Sequence, residues 1–228
     1  MSLNLLINDF IKRLKNDFAF RTIITGIMTL IGSLFMFVFN LLIGIDNDAN
    51  WNISISVFYL VLFLIRLLVL VFEFFIKRSK NPRELELKSY RIVSYLLIII
   101  NLSIVVPILM LSSKQKAAYV NTTVAIIFAL YTTVKFGFAI RNMFKTKNNY
   151  SLTIRLLKII SFTAALFSLM NLESVLILTF GKYDSEMTLF STVTNIVIFT
   201  YINFMTIITI INGYKLNKKY KDLNLDLN

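Results

Sequence analysis

Apolar residues fill six stretches of this chain: Thr22 to Ile45, Ile53 to Ile76, Ile92 to Leu111, Ala117 to Ile140, Ile159 to Phe180 and Leu189 to Ile211. Each meets the requirement of roughly 20 residues for a helix that crosses a bilayer. Lipid offers backbone amides no partner, so such stretches must close their hydrogen bonds internally. The pattern predicts an all-α fold: a polytopic membrane protein with six transmembrane helices in one bundle. Ahead of the first span, Leu3, Ile7, Phe10, Leu14 and Phe18 recur at helical spacing, with Lys12, Arg13, Lys15 and Asp17 largely opposite. This predicts an N-terminal amphipathic helix lying on the interface. The expected organisation is a cytoplasmic amphipathic segment over 1–21, a six-span domain over 22–213 and a loose basic tail over 214–228.

Charge orients these spans. Of 24 Lys and Arg residues, 19 lie in the N-terminal tail, the gaps around Lys77 to Arg91 and Arg141 to Lys158, and the C-terminal tail. Only Lys114, Lys116 and Lys182 occupy the alternate gaps. Short basic loops stay on the cytoplasmic side, which predicts a multi-pass protein of the cell membrane with both termini cytoplasmic. The first span follows a charged tail and lacks a small-residue cleavage site, so it reads as an anchor and not a cleavable signal.

Composition adds exclusions. At 57% hydrophobic, the chain leaves no room for a separate soluble domain. Its net charge of +12 would suggest nucleic acid in a soluble protein, but topology and anionic headgroups already account for a basic inner face. The expected partners are the lipid bilayer and another membrane subunit or a second copy of the chain, with no nucleic acid. There is no Cys and no His, which removes disulfides, thiol chemistry and the commonest metal ligand. No phosphate loop, metal-ligand spacing or GxSxG elbow is present, so neither a cofactor, a metal nor an enzymatic activity is expected.

Polar residues inside the spans carry the remaining information. In the second span Asn52, Tyr59, Arg66 and Glu73 recur every seven residues on one face. An Arg at a helix centre costs about 2.5 to 3.5 kcal/mol on insertion scales, so Arg66 must face protein or water and find an acceptor. By depth, the expected interhelical pairs are Arg66 with Glu173 and Lys135 with Glu73; Asn101 or backbone carbonyls are other acceptors for Arg66, Lys77 another partner for Glu73, and Lys135 can snorkel to the surface. Asn101 and Asn171 complete the candidate polar core or solute path. The first span bears a small-residue stripe, Gly26, Thr29, Ser33 and Asn40, which reads as a helix-packing seam. The fifth span is polar on opposite sides, with Ser161, Ala164, Ser168 and Asn171 on one and Glu173 on the other, and is expected to be surrounded by protein.

The series Phe20-Arg21-Thr22, Asn40-x3-Gly44, Trp51, Phe58-Tyr59 and Arg66 resembles an uncharacterised family of small, roughly six-helix integral membrane proteins from Gram-positive bacteria. Tyr131-Thr132, Lys135, Ala139-Ile140, Asn142 and Ala165-Leu166-Phe167-Ser168-Leu169 extend the likeness. Lys135 replaces an expected Arg, and Glu173 an expected Gln. The resemblance implies a membrane bundle and no assigned activity. Two function classes follow from the residues: a transporter-like or channel-like protein for a small polar or anionic solute, with Arg66 central, or a non-transporting membrane partner (immunity, sensor or assembly protein) whose polar interior only pins helices.

Overall fold

The computed structural model describes residues 18–112, 121–144, 151–181 and 185–225, with positions 8 and 12 in isolation. The expected interfacial helix lies almost wholly outside these residues. Within them the chain is helical throughout: α1 Phe18–Asp46, α2 Asn50–Arg78, α3 Pro82–Ser112, α4 Thr122–Phe144, α5 Leu152–Phe180 and α6 Ser185–Leu225. All six are long and apolar enough to cross a membrane.

The helices overrun the apolar stretches at the end of the bundle that holds the α2–α3 and α4–α5 connections, for local reasons. Pro82 opens α3 directly after the Asn81 break, where its missing N–H costs nothing and its fixed φ suits a helix start. Ser151 caps α5, accepting from the Ile154 amide at 3.3 Å. A second cap comes from a distance: the Glu86 carboxylate of α3 accepts the backbone N–H of Leu152, and Arg83 holds the same carboxylate at 3.5 Å. An acid at a helix N-terminus meets both orphan amides and the positive end of the dipole. The tail expected to be loose continues instead as the last turns of α6, up to Leu225. Leu216 and Tyr220 pack against the core, and a Cβ on Gly213 would lie 3.1 Å from the Tyr90 ring, so glycine there lets α6 approach α3 closely.

At the end of the bundle opposite the α2–α3 turn, α1 and α2 form a tight hairpin. The Ala49 amide bonds the Gly44 carbonyl at 2.9 Å, and Asp48 takes a positive φ of 48°. A Cβ on Gly44 would fall 2.7 Å from Ile53 Cγ1 and 3.0 Å from the Ile53 amide, so only glycine fits without a shift.

Helix α5 occupies the centre and packs against every other described helix. Its polar character on two sides has this origin, since neither face meets lipid. Around it, Phe58 stacks on Phe167 with ring centroids 3.6 Å apart, and Tyr59 meets Phe167 edge-on at 5.8 Å. In lipid such contacts act through close packing rather than through expulsion of water. Among the described residues α1 and α4 make no close backbone approach. A cleft therefore separates them.

Candidate functional site

The polar interior forms where α1, α2, α4 and α5 converge. Arg66 is 2% exposed and sits mid-way along α2. Its Nη1 donates to the Thr29 carbonyl at 2.7 Å and to the Ser33 hydroxyl, both on α1. Ser33 in turn donates to the same Thr29 carbonyl at 2.8 Å. The small-residue stripe of α1 thus serves two purposes. Gly26 packs under Leu70 of α2 and Leu157 of α5, as the seam reading anticipates, while Thr29 and Ser33 hold the guanidinium. Asn40 is buried on the same stripe and returns its amide to the Met36 carbonyl at 2.8 Å.

Across the interface, Lys135 of α4 donates to the Ser168 hydroxyl of α5, which lies 3.2 Å from the Tyr59 hydroxyl and itself donates to the Ala164 carbonyl at 2.8 Å. The Lys135 ammonium stands 5.7 Å from the ring centroids of both Tyr59 and Tyr131, within cation–π range. Arg66 and Lys135 are within electrostatic reach of each other, and Tyr59 and Tyr131 are within reach of Arg66. Two cations, two phenols and two hydroxyls therefore share one region, with Arg66, Tyr59, Ser33 and Ser168 buried, Lys135 half-buried and Tyr131 at its exposed edge.

The expected ion pairs do not form. Arg66 turns to α1, and Glu173 makes no salt bridge with it; both Glu173 carboxylate oxygens are buried with no hydrogen-bond partner. The Ser191 hydroxyl of α6 faces that carboxylate without meeting hydrogen-bond geometry. The reason is rotation, not depth. Five residues separate Ser168 from Glu173, a turn of roughly 140° at 100° per residue, so when Ser168 faces α2 and α4, Glu173 faces α6. Glu73 pairs with Lys77 one turn later at 3.5 Å and leaves Lys135 to Ser168. Asn101 belongs to a separate cluster, where its amide donates to Asn203 and Thr206 of α6 at 3.1 Å each.

Among the described residues no carboxylate forms a salt bridge with either cation. Nη1 makes two charge-assisted hydrogen bonds, at about 1.5 to 3 kcal/mol each, enough to offset the insertion cost of about 2.5 to 3.5 kcal/mol. Arg66 is thus held in place with three of its five N–H donors to spare. Nε and Nη2 are buried and unpartnered. These two N–H groups share one edge of the guanidinium and form the planar fork that matches a carboxylate or phosphate bidentately.

Beside this region the α1–α4 cleft encloses a cavity of about 600 Å³. Its walls are apolar, with Ile31, Phe35, Ile127 and Phe128 prominent, while Asn40, Asn52 and Asn171 contribute amides. Gly32 and Met36, which bracket Ser33, line it, and so does Tyr131. The Tyr131 hydroxyl lies 3.5 Å from where a Cβ on Gly32 would sit, so this phenol closes the cleft against α1.

Of the residues singled out from sequence, the structure places Arg66, Tyr59 and Lys135 in one cluster, Asn171 and Asn40 on the adjoining cavity, and Glu73, Glu173 and Asn101 elsewhere. Ser168 and Tyr131 are the members that the sequence reading leaves outside the site. Tyr131 precedes Lys135 by one helical turn and so shares its face, a signal within reach of the sequence. Comparison with protein families, with curated proteins and with solved structures gives no match.

Proposed function

We propose that this chain is a transporter-like membrane protein that binds a small anionic solute at Arg66 and Lys135. The observation that carries the reading is the free Nε/Nη2 edge of a buried guanidinium, beside a second, half-buried cation and, among the described residues, with no carboxylate on either. Perturbed, unpaired charge at membrane depth is where binding energy for a solute of opposite sign is stored. We place both termini on the cytoplasmic side of the cell membrane, as the loop charges require.

The test compares Arg66→Gln, Arg66→Ala and Arg66→Lys in purified protein, reading thermal unfolding together with binding of acetate and inorganic phosphate. Folded variants that lose anion binding support the proposal. A second reading, a non-transporting partner in which Arg66 pins α2 to α1, is favoured by its bonds to Thr29 and Ser33. Under that reading all three variants unfold easily and the native protein binds neither anion. Orientation is checked separately: the chain lacks Cys, so single cysteines at Asn47 and at Lys80 report sidedness to a membrane-impermeant maleimide.

A further inference from the structure

The site has an apolar approach, which narrows the class of anion. Along α1 the cleft is lined from Met28 to Ile43, about 22 Å at 1.5 Å per residue, and its inner part is level with Thr29 and Ser33, the groups that hold Arg66. A path for a small hydrated ion would be walled by polar groups. Here the walls are aliphatic and aromatic, and the volume of about 600 Å³ lies in the range of sites that enclose an organic molecule. The cleft is also open sideways: Met28, Ile31, Phe35 and Ile127 are all more than half exposed, in a part of the molecule that faces lipid.

Resting on the anion-binding reading above, we infer that the ligand is an amphipathic monocarboxylate: an apolar chain seated between α1 and α4, with its carboxylate on the Nε/Nη2 fork of Arg66. Three observations converge on this. The fork presents two parallel N–H donors and selects a planar two-oxygen acceptor. Two neighbouring cations with no carboxylate on them among the described residues favour an anion. The apolar cleft alone would accept any hydrocarbon, but its lining includes Tyr131, which is within electrostatic reach of Arg66. Tyr131 is 43% exposed and its hydroxyl rests against Gly32. On this inference the ligand reaches the fork past the Tyr131 ring once that ring turns away from Gly32. The amides of Asn40 and Asn171 then meet a neutral polar group at the far end of the longer ligands of this class.

The probes are decanoate, decanol, acetate and inorganic phosphate, with the full chain in lipid nanodiscs. Decanoate is expected to bind at least about tenfold more tightly than either decanol or acetate, since it alone satisfies both cleft and fork. Arg66→Lys keeps the charge but removes the fork, and should weaken decanoate about tenfold or more with unfolding temperature retained. Gly32→Leu fills the cleft and should abolish decanoate binding while leaving phosphate unaffected. If Gly32→Leu does not fold, Ile127→Trp fills the same space from the exposed side of α4. Decanol binding as tight as decanoate would overturn the inference, because the cleft would then be a lipid groove only. Acetate or phosphate binding that depends on Arg66, with decanoate no tighter, would also overturn it yet leave the anion reading standing. Binding of none of the four would end both.

Discussion

The Ser168 hydroxyl receives a hydrogen bond from Lys135 and lies 3.2 Å from the Tyr59 hydroxyl, so one small side chain of α5 ties α4 to α2 at the centre of the bundle. Truncation there strands a half-buried ammonium. Ser168→Ala is expected to cost about 1 to 3 kcal/mol, read as a lowered unfolding temperature in detergent. Replacing Lys135 by Met in the same chain should recover part of the loss, because the stranded charge is gone. Strict additivity of the two substitutions would show that the hydroxyl does not hold the lysine.

Glu173 contributes no ion pair, and its desolvated carboxylate has no donor. Glu173→Gln should therefore leave stability unchanged or raise it. Were Glu173 the partner of Arg66, removing its charge would cost about 3 to 5 kcal/mol. Thermal unfolding of the two proteins side by side decides between these outcomes.

Gly44 admits no side chain without displacing Ile53. Gly44→Ala is expected to destabilise by about 1 to 3 kcal/mol through overpacking at the α1–α2 hairpin. The contrasting substitution is Gly137→Ala, where a new Cβ meets nothing within 4 Å and helix propensity improves. A neutral or stabilised Gly137→Ala beside a destabilised Gly44→Ala is the predicted pattern.

The Glu86 carboxylate caps α5 from α3. Glu86→Ala should cost about 1 kcal/mol or somewhat more, and Glu86→Gln less, since the amide oxygen still accepts from Leu152. Hydrogen exchange of the first α5 amides gives a local readout: faster exchange confined to that end in Glu86→Ala is the expected result. Uniform exchange across both variants would refute the cap.

How much of this was legible in the chain differs by residue. Arg66 announces itself, because a guanidinium in the middle of an apolar run has no neutral explanation. The α1 seam is also readable, as small residues at steps of three and four share a face. Its role is only half readable: that Thr29 offers a carbonyl to Arg66 involves no side-chain signal at all. Partner choice was misread for Glu173 and for Lys135, since depth along an axis can be counted from sequence but the rotation of each helix cannot. Glu86 falls in the gap where a loop was expected, and its bond to Leu152 joins residues far apart in sequence.

By itself, then, the sequence determined the number of segments long and apolar enough to span a membrane and their helical nature. Those properties follow from the exchange of each segment with lipid and water, one segment at a time. Tertiary structure alone decided that α5 is central, that α1 and α4 stand apart around a cavity, and that Arg66 keeps one donor edge free. These are relations between helices, set by which faces interlock. Close packing fixes them to within a fraction of a turn, and no single segment carries that information.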